Sequence, residues 1–94
     1  MGLKINPADI RTLIEGHSEQ DTERIIFEEP AELIRAFSKF KRYGGLQKRA
    51  NLMEEMADVY IILEMLKELY SISENDMQKW IDLKMQRNLE RIKA

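Results

Sequence analysis

The 94-residue chain has no cysteine and a single histidine, His17. The first absence excludes disulfides and thiolate metal sites. The second excludes any centre that needs two imidazoles. No apolar run approaches the length of a membrane-spanning helix, and the N-terminus lacks a signal-peptide pattern, so a soluble, cytoplasmic protein that does not bind a membrane is expected. A charge imbalance is missing too. Fifteen basic against 17 acidic side chains leave a net charge of −2, which gives no general nucleic-acid-binding surface. Any chemistry must therefore run on carboxylates, lysines, hydroxyls or a bound metal. A chain this short forms one domain, residues 1–94, and buries only roughly 60% of its unfolded surface, so an interface with another copy would add stability.

Strand signals are weak, and helical periodicity dominates. Asn6-Pro7 reads as an N-cap followed by proline at the first helical position, opening a short helix that Gly16 ends. Ser18, with Asp21 three residues on, caps a second helix that runs to about Tyr43. Gly44-Gly45 suits a left-handed helix end and a turn. A third helix is expected to start between Leu46 and Asn51, where Asn51 and Glu54 offer a capping box, and to reach about Tyr70. Ser73 and Asp76 open the last helix. The expected fold is all-α, with four helices.

Two acidic segments are present, FEEPAEL at 27–33 and MEEMADV at 53–59. At about 100° per residue, Ile26, Pro30, Leu33, Ile34, Phe37 and Phe40 share one apolar sector of the second helix. Glu29 and Glu32 lie along its edge, whereas Glu28 turns outward with Arg35 and Arg42. On the third helix Leu52, Met56, Val59, Leu63 and Leu66 form one apolar face, and Ile62, Met65 and Leu69 extend it round the side. Glu55 projects between Ile62 and Leu66, and Asp58 between Met65 and Leu69, so both acids are expected to be enclosed. Acidic runs on helices commonly sit in water beside Lys or Arg. Clustered carboxylates away from water repel one another unless a hard cation neutralises them, and magnesium prefers such oxygen ligands. A carboxylate-bridged di-iron bundle needs Glu-x-x-His on two helices, and the chain has no such motif.

Proline at position 30 lacks an N–H and clashes with the carbonyl four residues back. A kink or helix start is therefore expected between Phe27 and Pro30, with the proline ring packed on the apolar face. On the last helix Met77, Ile81, Met85 and Ile92 make an apolar stripe, which Asn88 interrupts. Lys84, Asn88 and Arg91 form a polar strip on a helix expected to pack inward, where an amide donor and two cations suit phosphate oxygens. A basic last helix also complements its own dipole, and its long stems cover apolar surface.

Glu29-Pro30-Ala31-Glu32, a spacer over 33–54, and Glu55-Met56-Ala57-Asp58 resemble the E-x-x-E…E-x-x-D pattern of MazG-like nucleotide pyrophosphohydrolases. These belong to the all-α NTP pyrophosphatase superfamily. EEPAELIRAFSK and EEMADVYIILE resemble the flanks of the family motifs, and Lys84 to Asn88 a later K-x-x-x-N element, so the likeness covers about 21–91. It implies a four-helix bundle that assembles as a homodimer or homotetramer. It also implies Mg2+, with Mn2+ as a substitute, held by Glu29, Glu32, Glu55 and Asp58, which are the catalytic residues. Lys84 and Asn88 would contact the substrate phosphates, with Arg91 beyond. The reaction implied is hydrolysis of a nucleoside triphosphate to a monophosphate and pyrophosphate, one of the four acids serving as base. Pro30 departs from the family pattern, as does the absence of a clear glutamine before Glu28. Asn6, His17 and Trp80 could touch a base, although each also has a structural use. Narrower specificity for dUTP, dCTP or phosphoribosyl-ATP stays open, as does a non-catalytic helical oligomerisation module.

Overall fold

The structure, a computed structural model, describes residues 2–93, which form four α-helices and no strand. Helix α1 spans Pro7–Glu15, α2 Glu19–Tyr43, α3 Gly45–Leu69 and α4 Glu74–Lys93. Local chemistry sets most of these ends. Asn6 Oδ1 accepts from the Ala8 amide at 2.9 Å, ahead of proline at the first helical position. Ser18 Oγ accepts from the Asp21 amide and Ser73 Oγ from the Asp76 amide, each at 3.1 Å, so both serines satisfy donors that a helix start leaves free.

Gly44 and Gly45 take φ of 65° and 87°, which reverses the chain between two 25-residue helices. Because the reversal needs only these residues, α3 restarts at Gly45, earlier than the 46–51 window suggested. Asn51 lies inside α3 and caps nothing. Its Oδ1 accepts from Gln47 Nε2 at 3.2 Å. Helix α2 also runs unbroken through Pro30, so no helix starts there, and the proline is exposed rather than packed. The neighbouring turns hold the helix together across the lost bond to the Ile26 carbonyl, and the ring faces outward.

Helices α2 and α3 pack along each other, and α1 lies against α3. The core is small. Ile10, Ile62 and Met65 are each 3% exposed, with Ile14, Ile25, Ile26 and Ile61 packed around them. It therefore uses the Ile62–Met65 side of α3. The neighbouring stripe is open in part, with Met56 and Leu63 44% and 47% exposed and Leu52, Val59 and Leu66 half-buried.

The end of α3 follows the Schellman pattern. The Ile72 amide donates to the Lys67 carbonyl at 2.9 Å, with Ser71 at φ 53° in the position glycine usually takes. Lys67 Nζ lies 2.9 Å from Glu64 and also meets Glu74 at the start of α4. Beyond that clasp α4 does not pack inward as its stripe suggested. It buries no residue, and Trp80, Met85 and Ile92 are 58%, 51% and 81% exposed. An apolar stripe requires an apolar partner but does not dictate that the partner belong to the same chain. The radius of gyration is 15.8 Å, against about 12 Å for a compact domain of this length.

Candidate metal centre

Glu29 and Glu32 stand one turn apart on α2, as do Glu55 and Asp58 on α3. Packing of the two helices brings carboxylate oxygens of Glu29, Glu55 and Asp58 within 4.8 Å of one another. Glu32 lies beside this group rather than in it. Its Oε1 is 2.8 Å from Arg35, yet its charge still bears on both Glu29 and Glu55. Glu28 is exposed and faces Arg24 at 4.0 Å, as the wheel required.

Electrostatics in this group are adverse. Desolvation first, then the charges of Asp58 and Glu55, a hydrogen bond to Asp58 and the charge of Glu32 raise the Glu29 carboxyl above its ordinary value. For Glu55, desolvation again leads, followed by Asp58, Glu32 and Glu54, with Arg35 opposing. Glu55 Oε2 is also buried without a hydrogen-bond partner. An orphaned carboxylate oxygen among like charges is costly unless a proton or a cation joins it. A set made only of carboxylate oxygens suits a hard divalent ion such as Mg2+ or Mn2+. Glu29, Glu55 and Asp58 could supply three ligands, while Glu32 is held by Arg35.

A cavity opens on either side of the carboxylates. One, of about 160 Å³, has Glu32, Glu54 and Glu55 in its wall and continues along Arg35, Lys39, Lys48 and Asn51. The other, of about 210 Å³, has Glu29 and Asp58 in its wall and is otherwise mostly apolar, lined by Leu13, Ile25, Ile61, Ile62 and Met65, with His17 at its edge. His17 Nδ1 lies 2.7 Å from the Leu13 carbonyl, and Asn6 is occupied as the α1 cap.

Compared with known proteins, the chain matches no family model, no curated protein and no solved structure. Three of the four acids converge. Lys84, Asn88 and Arg91 do not join them within the chain, since all three are exposed on a helix that packs on neither α2 nor α3. Sequence reasoning missed the basic wall beside the acids, taking Arg35 as a solvent-side charge and Asn51 as a cap. The available signal was spacing. Glu32, Arg35 and Lys39 share one face of α2, and Lys48, Asn51 and Glu55 one face of α3.

Proposed function

We propose that this protein is a magnesium-dependent nucleoside triphosphate pyrophosphohydrolase of the MazG-like kind. It would convert a (d)NTP to a (d)NMP and pyrophosphate, as a cytoplasmic enzyme of nucleotide-pool house-cleaning. The observation that carries this reading is the convergence of Glu29, Glu55 and Asp58 around the unpartnered Glu55 Oε2. These are three of the four acids in the E-x-x-E…E-x-x-D pattern. Glu29, Glu55 and Asp58, with Glu32 beside them, would hold Mg2+ or Mn2+. When bound, the ion supplies polarisation of phosphoryl oxygens and a lowered pKa for an attacking water. The carboxylates orient that water, and one accepts its proton. Assembly as a homodimer or homotetramer would cover the open faces of α3 and α4, and a partner's Lys84, Asn88 and Arg91 could then approach the phosphates.

The test is a panel of ordinary and modified (d)NTPs incubated with Mg2+ or Mn2+ and assayed for pyrophosphate. Release on at least one substrate, abolished by Glu55→Ala, is expected. Turnover on none, or turnover that survives the substitution, overturns the proposal. Rate ratios within the panel separate a broad enzyme from one confined to dUTP, dCTP or phosphoribosyl-ATP. The uncovered stripe of α4 favours one other reading, a helical oligomerisation module without chemistry. That reading requires an absence of both turnover and magnesium-dependent stabilisation.

A further inference from the structure

The two cavities flanking the carboxylates differ in chemistry, and the difference gives the site a direction. On one side, Glu32, Arg35 and Lys39 recur along α2, and Lys48, Asn51, Glu54 and Glu55 along α3. At 1.5 Å rise per residue, the seven-residue span from Glu32 to Lys39 is about 10 Å, room for a chain of phosphates. Its acidic end adjoins the Glu29–Glu55–Asp58 group, and its basic end lies toward the Gly44–Gly45 turn. Among the described residues neither Lys39 nor Lys48 lies in an ion pair with a carboxylate. Asn51 Oδ1 is engaged by Gln47, which leaves its NH2 group as the donor for a ligand. Helix α3 begins here with no side-chain cap and no acidic residue in its first turn. This end of the groove therefore offers Lys39, Lys48 and the Asn51 NH2 group outside any ion pair, with Glu54 a further carboxylate in the wall beside Glu32 and Glu55.

The opposite cavity offers apolar walls of isoleucine, leucine and methionine. Phosphates would lose their hydration there without replacement, whereas the faces of a base would bury apolar surface. We propose that a nucleoside triphosphate lies across the carboxylates in one direction, its terminal phosphates in the Arg35–Lys39–Lys48–Asn51 cavity and its nucleoside in the cavity beside His17. This rests on the triphosphate reading of the acidic group and adds phosphate ligands on α2 and α3 to those expected on α4. Hydrolysis between the first and second phosphates then leaves pyrophosphate against the two lysines and the monophosphate toward His17. Arg35 has a positioning part as well, since a phosphate that draws its guanidinium away from Glu32 frees that carboxylate for the cation.

The experiment is amide and side-chain NMR of the full chain, titrated first with inorganic tripolyphosphate, with and without Mg2+, and then with a nucleoside triphosphate analogue that resists hydrolysis. Tripolyphosphate is expected to shift Lys39, Lys48 and Asn51 saturably and to leave His17 and Ile61 still. The analogue is expected to move both sets. Lys39→Gln with Lys48→Gln should weaken tripolyphosphate at least about tenfold while thermal melting stays unchanged, because two charges are lost from the groove. Shifts confined to α4, shifts at His17 with tripolyphosphate alone, or unchanged affinity in the double variant would each overturn the direction. The two proposals fail separately. Nucleotide turnover with an unaltered KM in the double variant refutes the groove and leaves the enzyme reading standing. Saturable tripolyphosphate binding at Lys39 and Lys48 without any turnover supports the phosphate groove and refutes the enzyme.

Discussion

Replacing Glu55 by glutamine should stabilise the metal-free protein, although the residue sits at the centre of the candidate site. Carboxylate oxygens of Glu29, Glu55 and Asp58 lie within 4.8 Å of one another. Two unit charges at that separation repel by about 0.9 kcal/mol in bulk water and about 3.5 kcal/mol at an effective dielectric of 20. The group is only partly buried, so solvent screening favours the lower figure. Glu55→Gln removes two such pairs and can turn an N–H toward Asp58 or Glu29, for a gain of about 1–3 kcal/mol at pH 7. In a domain of this size that is a rise of at least about 4 °C in melting temperature.

The pH dependence has a definite sign. The Glu29 and Glu55 carboxyls are raised above their ordinary 4.5, so the folded chain holds more protons than the unfolded one between that value and the raised ones. Stability of the wild type without metal therefore falls as pH rises through this window, and the advantage of Glu55→Gln closes below about pH 4.5. The assay is thermal melting by circular dichroism at pH 7 and pH 4, in EDTA and in excess Mg2+. Magnesium should raise the wild type by mass action, by about 2.7 kcal/mol at a hundredfold excess over Kd, and should leave the variant unmoved. An unchanged or lower melting temperature for Glu55→Gln in EDTA at pH 7 would refute the claim that like charges are forced together here.

Two further predictions concern the backbone that holds the site. Pro30→Ala restores the amide that should bond to the Ile26 carbonyl and should stabilise α2 by about 1–3 kcal/mol, read as a higher urea midpoint; a lower midpoint would mean that the proline is built in for packing. Gly44→Ala should cost about 1–3 kcal/mol, even though a Cβ there meets no neighbour, because φ of 65° with ψ of −162° is open in practice only to glycine. A loss below about 0.5 kcal/mol in the same urea experiment would show that the turn relaxes.

Local signals proved the most legible. The caps at Asn6, Ser18 and Ser73 and the Gly44–Gly45 turn each depend on a few adjacent residues, and the helix ends follow from them. Facing of Glu29, Glu55 and Asp58 was also readable, because helical period fixes direction once two helices are known to pack. The site beyond those acids was less so. Lys39 lies one turn before the end of one helix and Lys48 in the first turn of the next, where each alone resembles an ordinary near-terminal charge. Only the two-residue reversal at 44–45 sets them across one groove. The course of α4 was not legible at all. Its stripe records a demand for apolar contact, and the geometry of the Ser71 turn, rather than the stripe, decides whether the same chain meets it.

The uncovered α4 has a consequence for how the molecule opens. Helices in proteins draw most of their stability from packing an apolar face, and α4, which buries no residue, is tied to the rest mainly through the Lys67 clasp. Its amides would then exchange with solvent through an opening that leaves the α1–α3 core intact, as a separate cooperative unit. Protection along α4 would follow protein concentration wherever a second copy covers the stripe, whereas protection at Ile62 and Met65 would follow the folding free energy of the single chain. One molecule would thus carry two independent clocks, the first timing its association and the second its folding.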